Sequence, residues 1–464
     1  MQVARAFPSL RSRSHSTYHA RSLKIAVQGC CHGELNTIYN QIARLEAQNG
    51  YKVDLLLICG DFEAMRNRRD VETMAAPQRY RRLGEFYKFY TGEATAPLPT
   101  IVIGGNHEAS SYMWELYHGG WLAPRIYFLG HAGCVQVDGI RIAGLSGIFK
   151  RRSFYQGHHE RAPYNKSTVR SIYHLREYSL RRMALLSTPD IILSHDWPSE
   201  IVHHGDLAGL LDDRPQFEED IAKGRFGAPP LMDLLLNLKP PRWFAAHMHV
   251  RFEANVIHEA GESAKDASNT MPWAAIPPST YEDSPRPRER SARLYRKAEG
   301  RYDFGVEEDP GMPTPTTQPS TRFVGLDKCV FGTDFLEVID VPVPSGHAAT
   351  VAPVVAFDPE WLAITRAFHP FLSTTERQPP FPTLKQARGM VEKELTWVRQ
   401  NVGRRLGVKP AGAWRVDACQ TFAMTAPGHG QEEHLERTCP RAHTNPQTQA
   451  FATLLDIANK INPA

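Results

Sequence analysis

Short apolar runs that end in polar, often glycine-containing segments recur along the first half of the chain. These runs comprise residues 23–27, 53–58, 100–103, 190–193 and 242–246. Runs of this length that stop at glycine, or lead directly into histidine-bearing segments, predict buried strands. Between the first two runs, apolar residues recur at helical spacing, namely Leu35, Ile38, Tyr39, Ile42 and Leu45. Gly50 follows them as a stop signal. The alternation of strand and helix predicts an α/β core.

The pattern farther along divides the chain into segments. A second helix is predicted around residues 80–90, and Asp138-Gly139 separates two apolar runs, which is typical of a type I′ hairpin and introduces antiparallel pairing. Apolar periodicity is lost from 259 to 322, where nine prolines indicate a linker or a long insertion. Periodicity returns afterwards in two short runs and one helical run. The predicted segments are a basic extension (1–22), a first domain (23–258), a proline-rich linker (259–320) and a C-terminal region (321–464).

Length and composition narrow the classes of protein that remain. A chain of 464 residues exceeds the usual single domain, and a content of 42% hydrophobic and 22% charged residues excludes a wholly disordered protein. The net charge is only +4, so any contact with a polyanion must come from a local patch. Seven cysteines without framework spacing favour a reducing compartment over a disulfide-stapled secreted domain.

Membrane and targeting signals are weak. No apolar run approaches the roughly 20 residues of a spanning helix, so no membrane segment is predicted. The first 22 residues hold four arginines and no acidic residue. This composition is compatible with a mitochondrial presequence and with a basic, disordered extension, and the sequence leaves both interpretations open.

Five polar motifs follow the predicted strands, directly or close behind their ends. They are residues 29–33, 60–61, 105–108, 194–196 and 247–249. The loops beyond the carboxyl ends of strands build the site in open α/β sheets, so these side chains are expected to converge. Neutral imidazole and carboxylate are good ligands for Zn, Fe or Mn, and one Asp can bridge two ions. Each motif alone also fits a core histidine or a simple turn, whereas all five in this order indicate a metal site.

The order of the motifs resembles the calcineurin-like metallophosphoesterase superfamily, whose pattern is D-x-H, G-D, G-N-H-[DE], a lone His and H-x-H. Every element matches except the first Asp, which is Cys30 here. A cysteine in that place resembles one branch of the superfamily, the RNA lariat debranching enzymes. The match continues at residues 60–67, 157–165, 194–198, 246–249, 326–329 and 445–448. The fold implied by the resemblance is an α/β, mixed-sheet sandwich flanked by helices, with an inserted recognition loop and helix at 150–183 and a C-terminal region.

The resemblance also implies a two-metal site. The ligands of the first ion would be Cys30, His32, Asp61 and His249, and those of the second would be Asp61, Asn106, His195 and His247. Two divalent ions held in this way activate water and neutralise phosphoryl oxygens, while His107 would protonate the leaving 2′-oxygen. Sulfur in place of oxygen favours Zn or Fe over Mg or Mn at the first ion. The alternative for Cys30 is that it only fills space beside a weak or mononuclear site, and Cys31 is expected to point away.

Substrate selection needs a further feature, and residues 150–183 supply a candidate. They contain nine Lys or Arg against two Glu, with five interleaved aromatic residues, a combination suited to phosphates and unpaired bases. The candidate substrate contacts are Arg66, Asn67, Lys150, Arg151, His158, Tyr164, Asn165 and Lys166. For residues 150–166 we favour a substrate loop. For residues 168–183 we favour a solvated amphipathic helix whose tyrosines pack on the sheet.

The function implied by the resemblance is hydrolysis of the 2′,5′-phosphodiester at the branch point of excised intron lariats, which gives linear RNA for intron turnover in mRNA processing. The substrate would place the protein in the nucleus, with the mitochondrion as the alternative. A phosphomonoesterase or nucleotidase of the same superfamily would be favoured if residues 150–183 were dispensable. A non-catalytic scaffold would have lost ligands or the acid. The sequence leaves open whether splicing-associated proteins bind, and which oligomer forms.

Overall fold

A computed structural model of the protein describes residues 21–258, 318–344, 352–408, 412–431 and 440–463. Residues 1–20 of the predicted basic extension and 259–317 of the predicted linker lie outside the described residues. Within the described ranges, no helix has the length and apolar character needed to cross a membrane.

The described strands form two sheets, and the loops that follow several of these strands carry the candidate site residues. The strands are β1 (Ser22–Gln28), β2 (Leu55–Ile58), β3 (Thr100–Val102), β4 (Gly120–Ala123), β5 (Ile126–Phe128), β6 (Ala132–Val137), β7 (Ile140–Leu145), β8 (Ile191–Ser194), β9 (Arg242–Ala245), β10 (Phe252–Ile257), β11 (Ser320–Gly325), β12 (Leu336–Pro342) and β13 (Val355–Phe357).

Helices cover the sheets and form much of the C-terminal region. The α-helices are α1 (Leu35–Asn49), α2 (Phe86–Thr91), α3 (Ser110–Glu115), α4 (Arg151–Phe154), α5 (Glu177–Met183), α6 (Leu207–Asp213), α7 (Glu218–Ala222), α8 (Pro229–Leu238), α9 (Pro359–Phe368), α10 (Leu384–Arg405) and α11 (Pro446–Leu455). Short 3₁₀ turns lie at Asp70–Thr73, Gln78–Tyr80, Thr168–Arg170, Ile201–His204, Pro215–Phe217, His369–Phe371 and Val416–Ala418.

Each sheet has a parallel centre and antiparallel edges. The first has the order β12-β1-β2-β3-β5-β4, in which β1, β2, β3 and β5 are parallel. The second has the order β10-β11-β9-β8-β7-β6-β13, in which β11, β9, β8 and β7 are parallel. The carboxyl ends of the parallel strands in each sheet therefore meet at one edge, where the predicted motifs lie.

The two faces of β1 pack into different cores because side chains alternate along a strand. Leu23, Ile25 and Val27 join the apolar layer that contains strands of both sheets, while Ala26 joins the layer under α1 and α2. Burial of each such Leu, Ile or Val side chain contributes about 1.5–3 kcal/mol. Past the strand end the phase shifts by one residue, so that Cys30 lies in the first layer and Cys31 in the second.

Strands from the C-terminal region complete both sheets. β12 pairs with β1 along its whole length, from Ser22 opposite Pro342 to Gln28 opposite Leu336. β11 lies between β10 and β9 in the second sheet, and β13 pairs with β6 at its edge. The described part of the C-terminal region therefore shares both cores with the first domain.

The predicted α/β, mixed-sheet sandwich is confirmed. The Asp138-Gly139 hairpin is also confirmed, because both residues have positive φ, 48° and 84°, and they join antiparallel β6 and β7. Two helix predictions were too long. The one around residues 80–90 is interrupted at Gly84 (φ 67°) and becomes helical only at α2. The one over 168–183 is interrupted where Leu175 N bonds to Ile148 O at 2.9 Å, and only α5 remains.

Candidate metal centre and active site

The five motifs converge at the carboxyl edge of the sandwich. The loops after β1, β2 and β3 come from the first sheet, and those after β8 and β9 come from the second. The side chains that these loops bring together are Cys30, His32, Asp61, Asn106, His195, His247 and His249. Residues more than 200 positions apart in sequence thus face one another across the junction of the two sheets.

Unusual backbone conformations aim these side chains inward. Four of the seven candidate ligands have left-handed φ values; they are His32 (49°), Asp61 (45°), His247 (67°) and His249 (51°). Such conformations cost about 1–3 kcal/mol each in non-glycine residues and cluster at functional sites. Close packing adds a second constraint: a Cβ at Gly60 would lie 2.4 Å from His195 Nδ1, and one at Gly105 would lie 2.1 Å from Asp61 Oδ1. Only glycine fits at either position.

The first predicted ligand set has the spacing that a metal ion needs. Donor atoms of Cys30, His32, Asp61 and His249 all lie within 4.8 Å of one another. His32 Nε2 and His249 Nε2 are 3.2 Å apart, and His32 Nδ1 lies 3.2 Å from Glu63 Oε1. Burial, with the charges of His32 and Lys328, lowers the pKa of His249 to about 3, so its imidazole is neutral and able to ligate.

In the second predicted ligand set, hydrogen-bond acceptor atoms point toward one another. His195 Nδ1 lies 2.8 Å from the Cys59 carbonyl oxygen, which fixes the proton on Nδ1 and leaves Nε2 as an acceptor. That Nε2 faces two further acceptors, Asn106 Oδ1 at 3.1 Å and Asp61 Oδ1 at 3.3 Å, and the His247 ring centroid is 5.0 Å from that of His195. Acceptors that face each other without a proton between them fit a cation.

Asp61 lies between the two sets. Its Oδ1 is 3.3 Å from His195 Nε2, and its Oδ2 is 3.7 Å from His32 Nε2. Burial alone would raise the pKa of this carboxyl. The nearby His195 and His32 lower the pKa by more than burial raises it, so the pKa of Asp61 lies below its usual value. An ionised carboxylate with one oxygen toward each set is the arrangement expected of a bridging ligand.

The Sγ of Cys30 lies among the donor atoms of the first ligand set. It accepts a hydrogen bond from His247 N at 3.2 Å. Burial and the charge of Asp61 raise the pKa of the thiol, so a thiolate forms here only if a cation offsets the negative charge. Cys31 lies in the opposite core layer, as the sequence predicts.

His107 stands beside the first ligand set on the β3 loop. Its ring centroid is 5.5 Å from that of His32, and its backbone N–H donates to Asp61 Oδ1 at 2.8 Å. The side chain is only half-buried, so it can meet a substrate that enters from solvent. Its ring also lies with His32 and Glu63 in a second group whose donor atoms are within 4.8 Å of one another.

Two glutamates support the site and were missed from the sequence. Glu108 accepts the backbone N–H groups of Phe62, Glu63 and Gly105 at 2.8–2.9 Å, which ties the β2 and β3 loops together. Glu63 is buried in a left-handed conformation (φ 62°) and orients His32. The signal for Glu108 was its place at the end of the G-N-H-E motif, and Glu63 lies in the matched stretch 60–67 without a role that the motif assigns to it.

Three of the predicted substrate contacts are corrected, because they lie inside the protein. Arg66 is 0% exposed and pairs with Asp70 at 2.7 Å and Glu115 at 2.9 Å. Asn67 is 3% exposed, and its amide donates to Pro427 O at 2.7 Å. His158 is 2% exposed within an aromatic cluster. A buried guanidinium with two carboxylate partners holds the fold together and is not available to RNA.

The other predicted contacts lie nearer the surface. Lys150, Arg151, Asn165 and Lys166 are exposed, and Tyr164 is half-buried against the core. The Asn165 side chain accepts the N–H groups of Ser167 and Thr168, so its oxygen serves the loop itself. Phe149 N donates to Asp196 Oδ2 at 3.0 Å, and this bond fastens the residue before Lys150 to the loop that carries His195.

Fold and site together define a calcineurin-like metallophosphoesterase. Residues 23–251 match the calcineurin-like phosphoesterase family, and residues 318–460 match the C-terminal domain of lariat debranching enzymes.

Proteins named lariat debranching enzymes are similar to this chain over nearly its whole length. The lariat debranching enzyme of Arabidopsis thaliana is 37% identical, with 94% of this chain and 86% of that protein covered. That of Drosophila melanogaster is 40% identical, with 94% and 78% covered, and that of Schizosaccharomyces pombe is 35% identical, with 94% and 96% covered. The chain belongs to the lariat debranching enzyme family. The family and the function predicted from the motifs are thereby confirmed.

Proposed function

We propose that this chain hydrolyses the 2′,5′-phosphodiester of branched intron RNA with two divalent ions held by the seven converging side chains. The observation that carries the proposal is the placement of Asp61, which offers one carboxylate oxygen to each of two imidazole-containing donor sets. When bound, two such ions supply Lewis-acid charge to the phosphoryl oxygens and lower the pKa of water.

The residues of the chain perform the remaining tasks. Glu63 and the Cys59 carbonyl orient the rings of His32 and His195, so that the same nitrogen of each faces the site. His107 donates a proton to the 2′-oxygen of the branch nucleotide as that oxygen leaves. Lys150, which is exposed at the start of the recognition loop and follows a residue bonded to Asp196, neutralises a phosphate of the incoming RNA.

The branched bond is the feature that separates debranching from other phosphoesterase activities. With metal-loaded protein, we expect cleavage of a synthetic 2′,5′-branched RNA and little or no cleavage of a linear 3′,5′ RNA of the same composition. Gel analysis of both substrates under identical conditions measures this. Equal rates on the two RNAs, or cleavage of neither, would contradict the proposal. Faster hydrolysis of nucleoside monophosphates than of branched RNA would favour the phosphomonoesterase alternative.

Sulfur at Cys30 bears on which metal is bound. Thiolate favours Zn or Fe, so Cys30→Ala is expected to lose about one ion per chain, and Cys30→Asp to recover it with a shift toward Mn. Elemental analysis of protein purified without chelator measures both changes. Cys31→Ala is the matched control, because this neighbouring thiol lies in the other core layer and metal content should stay unchanged. Full metal content in Cys30→Ala would show that the thiol only fills space.

The cellular setting stays a prediction. Nuclear residence follows from the substrate, since introns are released in the nucleus. A mitochondrial destination depends on the basic extension 1–22, of which residues 1–20 lie outside the described residues. Contact with splicing-associated proteins is likewise a prediction from the substrate.

A further inference from the structure

The loop between β11 and β12 lies at the same edge as the metal centre. β11 is parallel to its neighbour β9, which carries the His247 and His249 loop at its carboxyl end. The loop after β11 therefore emerges beside those two histidines. Two backbone hydrogen bonds fasten it to the Cys30 loop: Cys329 N donates to Cys30 O at 3.0 Å, and Gly29 N donates to Phe335 O at 3.0 Å.

A tight turn at the tip of this loop presents an aromatic ring to solvent. Thr333 N donates to Val330 O at 3.2 Å, and Gly332 has φ 83°, so Val330 to Thr333 form a type II turn with Phe331 at its second position. Thr333 Oγ1 also donates to Lys328 O at 2.8 Å, which braces the turn from inside. Phe331 is 100% exposed and Val330 is 47% exposed. No packing requirement of the described residues accounts for an aromatic residue here.

A positive charge accompanies the exposed ring. Lys328 forms a backbone bridge with Cys30, which places this lysine on the stretch of the β11–β12 loop that contacts the first ligand set. Among the described residues, no carboxylate forms an ion pair with the Lys328 side chain. An unpaired lysine beside a phosphodiesterase centre is placed to meet a phosphate group.

The order of the strands puts this loop opposite the recognition loop. β9 and β8, which carry His247, His249 and His195, lie between β11 on one side and β7 on the other. The segment with Lys150 follows β7, while the segment with Phe331 follows β11. An RNA that crosses the metal centre from the recognition loop therefore reaches the β11 loop next.

We infer that Phe331 stacks on an unpaired base of the branched RNA on the side of the metal centre away from the recognition loop, while Lys328 contacts the adjoining phosphate. The inference rests on the proposed function and names a further substrate contact of the same site. Stacking on an exposed aromatic side chain suits unpaired bases, because every base has a π-face and needs no particular hydrogen-bond pattern.

Kinetics on branched RNA provide the first test. Phe331→Ala is expected to lower kcat/KM about tenfold, mainly through KM, since stacking acts in binding. Phe331→Trp should stay within about twofold of the wild type, and Phe331→Leu should resemble the alanine variant, because it keeps apolar area but has no aromatic face. Ile257→Ala, at a 61% exposed position at the far end of β10, is the control and should leave kcat/KM unchanged. Melting temperatures should not differ among the Phe331 variants, since the ring packs against none of the described residues.

Tryptophan fluorescence provides a second test that does not depend on turnover. In a His107→Ala background, the difference spectrum of Phe331→Trp should show quenching on addition of branched RNA, while Ile257→Trp should not. Unchanged kcat/KM in Phe331→Ala, no rescue by Phe331→Trp, or absence of quenching would each overturn the inference. If the wild type does not cleave branched RNA at all, the proposed function fails, and the quenching result still decides whether Phe331 contacts RNA.

Discussion

His107→Ala is expected to reduce the debranching rate of the metal-loaded protein by about 10²- to 10⁴-fold while branched RNA still binds. The ring is half-buried beside the first ligand set, and His107 bonds to Asp61 only through its backbone N–H, which alanine retains. The loop should therefore keep its shape while the proton donor is lost. Single-turnover cleavage and fluorescence anisotropy of labelled branched RNA measure the two quantities.

A substrate that needs no acid distinguishes proton donation from other roles of this ring. Bis(4-nitrophenyl) phosphate has a leaving group that departs without a proton, so wild type and His107→Ala should hydrolyse it at similar rates. His203→Ala is the control for loss of an imidazole, because His203 lies on a 3₁₀ turn, contacts Glu200 and belongs to neither ligand set. Loss of bound metal in His107→Ala would instead identify the ring as a ligand, through its group with His32 and Glu63.

The convergence of the seven candidate ligands was predictable from the sequence because each follows a strand, directly or within a few residues, while their roles as ligands are implied by the family resemblance. A strand end is a local signal, and parallel strands bring such ends to one edge regardless of how far apart they are in the chain. Left-handed backbone at His32 and Asp61 was not predictable, because it depends on the close approach of loops from both sheets. The supporting role of Glu63 was missed for the same reason.

The substrate contacts were predicted poorly because exposure depends on distant partners. Arg66 lies in the stretch 60–67 that matches the family, yet its carboxylate partner Glu115 is 49 positions away, and Thr425, which also bonds to it, is 359 positions away. Phe331 was not among the predicted substrate contacts. An aromatic residue between strands is expected in a core, and only the turn around Gly332 places it in solvent.

The C-terminal region has a role at the site that the sequence did not indicate. β11 enters the second sheet parallel to β9, so its following loop must leave at the catalytic edge, and β12 then crosses to the first sheet beside β1. The connection between β11 and β12 passes the Cys30 loop and forms a backbone hydrogen bond to it near each of its ends, at Cys329 and at Phe335. Residues more than 290 positions beyond Cys30 thus brace the loop that carries the sulfur ligand.

Asp61→Asn is expected to abolish debranching, with a loss of about 10³-fold or more, and to remove both metal ions. The carboxylate faces His195 with one oxygen and His32 with the other, and an amide cannot offer two anionic oxygens. Loss of several kcal/mol of charge stabilisation corresponds to a rate change of this size. Elemental analysis, and the rise in melting temperature when Zn or Mn is added to metal-free protein, report metal binding independently of activity.

Asp340→Asn makes the same chemical change at an exposed ion pair with Lys24, so rate and metal content should stay unchanged. If Asp61→Asn kept one tightly bound ion and substantial debranching, a carboxylate shared between two ions would not be the centre of this site.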